Sequence, residues 1–301
     1  MDIQDRYRGA LLGLACGDAV GTTVEFSPRG SFTPLTDMVG GGPFGLKAGQ
    51  WTDDTSMAMC LAESLVRRGG FDARDQMNRY VNWYQHGYWS STGTCFDIGN
   101  ATRGALHNFL TTGEPLAGND DSRSAGNGSI MRLAPVVLRY LDASDLLEMA
   151  VLSSRTTHAA TECLDACRLF ATALARALHG QCKDDVLNLG TIDVSSEGLR
   201  GIAEGSYRTK TRDQIHGTGY VVQSLEAALW CFATTDTFAD AVLAAANLGD
   251  DADTTAAVVG QVAGAFYGAS GLPAHWLERL HQRADIEQLA DALHVAAGET
   301  P

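Results

Sequence analysis

Gly9-Ala-Leu-Leu-Gly13-Leu-Ala-Cys-Gly17-Asp-Ala-Val-Gly21 carries a glycine at every fourth position, and Ala256-Ala-Val-Val-Gly260-Gln-Val-Ala-Gly264-Ala-Phe-Tyr-Gly268 repeats the spacing near the other end of the chain. Glycine inside a helix costs about 1 kcal/mol relative to alanine, so two such rows need a reason. Four-residue spacing puts the glycines on one helical face, a smooth groove that a second helix can approach closely. Similar rows occur in membrane helices, but these segments are too short and their surroundings too polar. Two central helices packed tightly against each other are therefore expected.

Outward from these rows the helical period continues. It runs through 54–68, 72–86, 101–110, 129–141, 144–153, 159–179, 218–232, 236–247, 254–268, 273–282 and 286–296. In 54–68 the apolar face is Met57, Cys60, Leu61 and Leu65 with Ser64, and Gly69-Gly70 stops the run. Strand signals are sparse. Val20 to Phe26 reads as a short extended piece, and Ile192-Asp193-Val194 is too short to support a sheet. Segments 27–51, 112–128 and 181–196 are the most loop-like. The prediction is one all-α, multi-helix domain over residues 1–301 with no linker.

Composition narrows the function. A net charge of −14 argues against an electrostatic grip on nucleic acid, which needs clustered Lys and Arg. It also means that an anionic substrate would be repelled unless bound cations or similar local charge compensate. No apolar run reaches the roughly 18–20 residues of a membrane span. The acidic start Met1-Asp2-Ile3-Gln4-Asp5 lacks the layout of a signal peptide. Seven cysteines without a framework spacing suit reduced thiols. A cytoplasmic location is expected.

Two acidic clusters, each opening a helix, draw the chemistry. Thr52-Asp53-Asp54 fits an N-cap followed by acids that complement the helix dipole. Gly249-Asp250-Asp251-Ala252-Asp253-Thr254 repeats the arrangement with three carboxylates in four residues, which repel one another unless something positive lies among them. Together they point to divalent metal. Carboxylate and hydroxyl oxygens without nearby histidine or thiolate favour Mg²⁺ or Mn²⁺ over zinc.

Other residues leave alternatives open. Glycines around Asp18 suggest a tight turn, with Glu25 projecting from the extended piece beyond it. Asp97, between Phe96 and Ile98, either caps the 101–110 helix or lines a site. Ser124-Ala-Gly-Asn-Gly-Ser129 is either a backbone cradle for phosphate at a helix start or a plain turn with an N-cap. His158 with Cys163 and Cys167 lacks a second ligand pair at zinc spacing, so the cysteines read as core residues. No P-loop, Rossmann fingerprint or Gly-x-Ser-x-Gly elbow is present.

In combination these motifs resemble a known family. Gly13 to Glu25, the Thr-Asp-Asp-Thr at 52–55, Asp97-Ile-Gly-Asn100, Ala125-Gly-Asn-Gly-Ser-Ile-Met-Arg132, Thr157-His158, Gly217-Thr-Gly-Tyr220 and Asn247 to Thr254 follow the order of the ADP-ribosylglycohydrolase family. The likeness spans about residues 6 to 297 and is strongest to the bacterial branch typified by dinitrogenase reductase-activating glycohydrolase. It implies an all-α domain with two divalent cations, Mg²⁺ or Mn²⁺, held by Thr52, Asp53, Asp54, Asp251, Asp253 and Thr254. It also implies acid/base or gating work for Glu25 and a place beside the scissile linkage for Asp97. Asn100, Ala101, Thr102, Gly126, Asn127, Gly128, Ser129, His158 and Tyr220 fall where that branch contacts ADP-ribose. Asp250 departs from the pattern, since many members carry glycine there, and Ser122 replaces an acidic substrate contact.

The implied reaction is hydrolysis of ADP-ribose from a modified protein, with arginine favoured because a carboxylate such as Asp97 suits a guanidinium. Serine-linked, free-guanidine and nucleic-acid-linked ADP-ribose are alternative substrates. A phosphoesterase using the same acids and a catalytically silent ADP-ribose-binding module are the rivals. No membrane partner is expected.

Overall fold

The computed structural model describes residues 1–298 and arranges them as fourteen α-helices. They are α1 (Ile3–Gly21), α2 (Asp53–Arg68), α3 (Ala73–His86), α4 (Asn100–Thr112), α5 (Ala134–Arg139), α6 (Leu146–Arg155) and α7 (Thr161–Leu178), followed by α8 (Lys183–Val186), α9 (Glu197–Ala203), α10 (Val221–Ala233), α11 (Phe238–Ala246), α12 (Ala252–Tyr267), α13 (Ala274–Arg279) and α14 (Arg283–Gly298). Extended pairing among the described residues is limited to isolated bridges such as Gly126 with Tyr220. The all-α expectation holds.

The glycine rows form the centre. A Cβ on Gly9 would lie 2.2 Å from the Gly264 carbonyl oxygen, one on Gly13 2.2 Å from that of Gly260, and one on Gly17 2.1 Å from that of Ala256. At the end of the row a Cβ on Gly21 would lie 2.3 Å from the carbonyl oxygen of Ala252. Partner numbers fall as the α1 numbers rise, so α1 and α12 run antiparallel with their backbones in contact. This register has a functional consequence. It sets the C-terminal end of α1, with Asp18 and Glu25, against the N-terminal end of α12, with Asp251, Asp253 and Thr254.

Around this pair the apolar faces close a core that buries Leu11, Leu12, Phe170, Phe232, Phe238 and Trp276 completely or nearly so. No described helix is long and apolar enough to cross a membrane. All seven cysteines are free.

Several sequence expectations need correction. Val20 to Phe26 is not an extended piece: α1 continues to Gly21, a 3₁₀ turn covers Thr22–Val24, and only Glu25 turns out of the helix. Asp18 accordingly lies inside α1 rather than in a tight turn, because the glycines around it serve helix contact. Gly268 is not an interior member of its row but ends α12, at φ 71°. The helix expected over 129–141 is confined to Ala134–Arg139, since Pro135 has no N–H to give and fits only a first turn. The short helix α8 lies within the expected loop 181–196, and α9 follows just beyond it; neither carries a long apolar period.

Candidate active site

Asp18 is where the site begins. Its carboxylate is fully buried and accepts four hydrogen bonds: from the Thr52 amide at 2.9 Å, the Thr52 hydroxyl at 2.9 Å, the Thr55 amide at 3.0 Å and the Thr55 hydroxyl at 2.6 Å. The start of α2 is thus capped by an acid from α1, while Thr52, expected as the cap, makes no side-chain capping bond. Burial pushes the Asp18 carboxyl up to about 6, and the four donors oppose the shift. Sequence reasoning left Asp18 out of the site; its burial in a helix of glycines and alanines was the available signal.

With its proton directed at Asp18, the Thr52 hydroxyl turns its lone pairs towards Asp54 and Asp253. It lies 3.2 Å from Asp54 Oδ2 and 3.2 Å from Asp253 Oδ2. One hydroxyl proton cannot serve three acceptors. Asp54 Oδ1 and Asp253 Oδ1 are also buried with no hydrogen-bond partner. Three groups of carboxylates bring oxygens within 4.8 Å of one another: Asp18 with Asp54 and Asp253, Glu25 with Asp251 and Asp253, and Asp53 with Asp97 and Asp253. Asp253 belongs to all three.

No salt bridge reaches any of these acids among the described residues. Burial and mutual repulsion therefore push Asp53, Asp54 and Asp253 well above the usual carboxylate range. Glu25 rises to about 10, from burial first and then from Asp97, Asp251 and Asp54. Asp97 rises to about 7 by burial, with hydrogen bonds to Asp253 and Glu25 holding it down. Orphaned buried oxygens and acids that cannot all ionise together are the chemistry of a cation site. The cluster can hold a metal ion.

The cluster floors a cavity of about 730 Å³. Of the predicted residues, Glu25, Asp53, Asp97, Asn100, Ala101, Thr102, Gly126, Asn127, Gly128, His158, Asp251, Asp253 and Thr254 line it. Thr52 and Asp54 are buried immediately behind. Ser129 is not at the cavity: it is buried, and its hydroxyl accepts from the Cys167 thiol at 3.5 Å. Tyr220 lines an adjoining groove with Asn100, Ala101, Ser122 and Gly126. Asp97 does not cap α4, whose N-cap is Gly99; it faces the cavity from a left-handed backbone at φ 60°.

The 125–129 segment is a turn with one extended edge rather than a helix start. Asn127 N–H donates to the Gly219 carbonyl at 3.1 Å and Val221 N–H to the Ala125 carbonyl at 3.0 Å. The Asn127 amide donates to Asp251 Oδ2 at 2.6 Å and to Ser224 Oγ at 3.2 Å, which ties this wall to the acids. His158 stands under the turn. Burial and the Arg132 charge push its imidazole down to about 3, so it is neutral. Arg132 Nη2 donates to Thr157 Oγ1 at 2.6 Å, leaving the hydroxyl proton for His158 Nδ1 at 2.8 Å. The ring proton therefore sits on Nε2. A Cβ on Gly128 would lie 3.0 Å from that atom, which is why the turn passes over it with glycine.

Among the lining residues not singled out from the sequence, Ile98, Gly99, Met131, Thr218 and Gly219 fall within the motifs quoted above, whereas Phe26, at φ 59° and 65% exposed, was read only as the end of an extended piece. Nothing in the local pattern sets Phe26 apart from an ordinary surface aromatic. Asp250 lines the rim, also left-handed, at φ 55°. That backbone accounts for the glycine expected there.

An all-α scaffold with buried acids at the meeting of two helix ends, beneath a glycine turn and a neutral histidine, matches one class of enzyme. The chain belongs to the ADP-ribosylglycohydrolase family, whose model matches residues 1–301. Over 290 residues it is 50% identical to the ADP-ribosylarginine hydrolase Tri1 of Pseudomonas putida (strain GB-1), covering 96% of this chain and 78% of that protein. It is 31% identical over 309 residues to the ADP-ribosyl-(dinitrogen reductase) glycohydrolase of Rhodospirillum rubrum, covering 98% of each. A solved structure described as an ADP-ribosylglycohydrolase-related protein complex superposes with a TM-score of 0.89 at 45% identity, covering 98% of this chain and 99% of that one.

Proposed function

We propose that this chain hydrolyses ADP-ribosyl-arginine on modified proteins, cleaving the bond between C1″ of the distal ribose and the guanidino nitrogen. The observation that carries it is the pair of buried, unpartnered oxygens, Asp54 Oδ1 and Asp253 Oδ1, in the acid cluster that floors the cavity. The names of the similar proteins from Pseudomonas putida and Rhodospirillum rubrum support the substrate class.

The donor set, hard oxygens from Thr52, Asp53, Asp54, Asp251, Asp253 and Thr254, fits two divalent cations, Mg²⁺ or Mn²⁺. When bound, these supply positive charge that binds ribose hydroxyls and acidifies water. Thr52 contributes a neutral oxygen, oriented because Asp18 holds its proton. Asp251 is steered by the Asn127 amide. Glu25, almost fully buried beside Asp97 and Asp253, would be ionised where bound cations offset the repulsion that raises it, and it then accepts one proton of the attacking water. The water oxygen bonds to C1″ and keeps its second proton as the new anomeric hydroxyl, while the C1″–N bond breaks with its electron pair going to the guanidine nitrogen. Glu25 then gives up to that nitrogen the proton it took, and the product leaves as a guanidinium that donates hydrogen bonds to Asp97.

His158 Nε2–H and the Gly128 N–H serve the diphosphate, while Gly126 and Asn127, whose N–H groups donate to the Ser124 and Gly219 carbonyls, hold the shape of the turn. Asn100, Ala101 and Thr102 form the opposite wall, Ser129 supports the turn from behind, and Tyr220 extends the site into the adjoining groove. The net charge of −14 is thus met locally by cations and N–H donors. Bacterial relatives and the absence of a membrane-spanning helix among the described residues fit a cytoplasmic location.

The test is a panel of arginine-, serine- and nucleotide-linked ADP-ribose conjugates, scored by free ADP-ribose. Turnover should be fastest with the arginine conjugate. Turnover confined to serine or nucleotide linkages would move the leaving group, and phosphomonoester turnover alone would replace the reaction.

A further inference from the structure

Three of the five non-glycine residues with left-handed backbone among those described, Phe26, Asp97 and Asp250, line this one cavity. Such strain persists where the surroundings impose it, and it gathers at working sites. For Phe26 and Asp250 the imposing bonds are reciprocal. Phe26 N–H donates to the Asp250 carbonyl at 2.7 Å, and Asp250 N–H to the Ser27 carbonyl at 2.9 Å. The outcome is an aromatic ring 65% exposed beside an exposed carboxylate that has no side-chain partner. Burial energy does not explain either side chain.

Phe26 lines the cavity, and two further rings back it in the direction of the acid beside the scissile bond. Phe44 stands edge-on to Phe26 with centroids 6.3 Å apart, and Phe96, the neighbour of Asp97, lies 5.0 Å from Phe44. The order is Asp250, Phe26, Phe44, Phe96, Asp97: three rings with a carboxylate at each end. A ring face attracts a cation within about 6 Å of its centroid. A planar guanidinium both stacks on aromatics and forks onto carboxylates, which a lysine ammonium does not.

We propose that Phe26, held by the rings behind it, is the subsite of the departing arginine side chain: its guanidinium lies against the Phe26 ring, its charge balanced by Asp97 on the inner side and Asp250 on the outer. The subsite deepens the proposed function and rests on arginine being the leaving group. It also gives Asp250 a task in selecting the substrate. Phe26 and Asp250 act on binding, and the bond-breaking atoms lie deeper.

The probe is agmatine, a free guanidinium, titrated calorimetrically into the full chain saturated with ADP-ribose and Mn²⁺. Wild type should bind it. Phe26→Leu, which keeps bulk but removes the ring, and Asp250→Asn should each weaken binding about tenfold, and Phe26→Tyr should stay within about twofold, as expected of a cation–π contact. KM for an ADP-ribosyl-arginine peptide should rise in parallel, with kcat less affected. No agmatine binding by wild type, or Leu and Asn variants that bind like wild type, or a Tyr variant as weak as Leu, would overturn the subsite. Agmatine binding without arginine-conjugate turnover would sink the functional reading and with it the leaving-group role, leaving only a guanidinium-binding surface. Turnover with unaltered KM in both variants would do the reverse.

Discussion

The Thr52 hydroxyl lies 3.2 Å from Asp253 Oδ2, across 201 positions of sequence. Two features bring them there. The glycine rows fix the register of α1 against α12, and Asp18 on α1 grips the start of α2. Site geometry is therefore set by backbone contact in the core rather than by loops, and variants in that scaffold should be read at the site.

Asp18→Asn should damage metal binding without removing a metal ligand. An amide NH₂ would face the N–H and O–H donors of Thr52 and Thr55, freeing the Thr52 hydroxyl to rotate. Loss of a group that orients a ligand typically costs about 10–100-fold in metal affinity. Titration with Mn²⁺ monitored by calorimetry checks this, and affinity within twofold of wild type would contradict it.

Gly13→Ala and Gly260→Ala should both destabilise the fold, although alanine is the better helix former. The added carbon would lie 2.2 and 2.1 Å from a carbonyl oxygen of the facing helix, which cannot move alone. Overpacking of this kind costs about 1–3 kcal/mol or more, beyond the ~1 kcal/mol gained in propensity. Gly104 in α4 is the control, because a Cβ there meets nothing within 4 Å. Gly104→Ala should be neutral or stabilise by about 0.4–1 kcal/mol in urea denaturation.

Without divalent ions, stability should fall as pH rises. Asp18 and Asp97 are raised in the fold from an ordinary 3.8 to about 6 and about 7, and Glu25 from 4.5 to about 10. The folded state holds these protons more tightly, so their stabilisation is complete below about pH 4 and is lost as pH climbs through the folded values. Asp18 and Asp97 place the main loss between about pH 4 and 7, with Glu25 extending it upward. Cations bind the ionised acids, so the gain in Tm from Mn²⁺ should grow over the same window. Melting curves of chelated protein that stay flat from pH 4 to 7 would refute this.

How much of this was legible in the sequence depended on whether a signal was local. The glycine rows announced themselves because a period of four at a known energetic cost has few explanations. The acids of 251–253 were legible because three carboxylates in four residues are unfavourable without a counter-charge. Thr52 was read as the cap of its own helix, since a sequence does not show that Asp18 arrives from another helix to take that role. Asp18 itself was obscured by glycines that read equally well as a turn. Phe26 and Asp250 owe their exposure to a backbone pairing between segments some 220 residues apart, which leaves no trace in either segment alone. Pro135 was a local signal that the helical period of 129–141 overrode: it fits only a first turn, and α5 starts there.

The central claim is that the acid cluster binds divalent cations and that these are required to release ADP-ribose from arginine. Its most direct test is the initial rate of ADP-ribose release from an ADP-ribosyl-arginine peptide, measured on chelator-treated protein and after Mn²⁺ is restored, for wild type and Asp253→Asn. Asp253 shares oxygens with all three carboxylate groups. Wild type should lose turnover with chelator and regain it with Mn²⁺, and Asp253→Asn should stay inactive throughout. Undiminished turnover under chelator, or a fully active Asp253→Asn protein, would contradict the account.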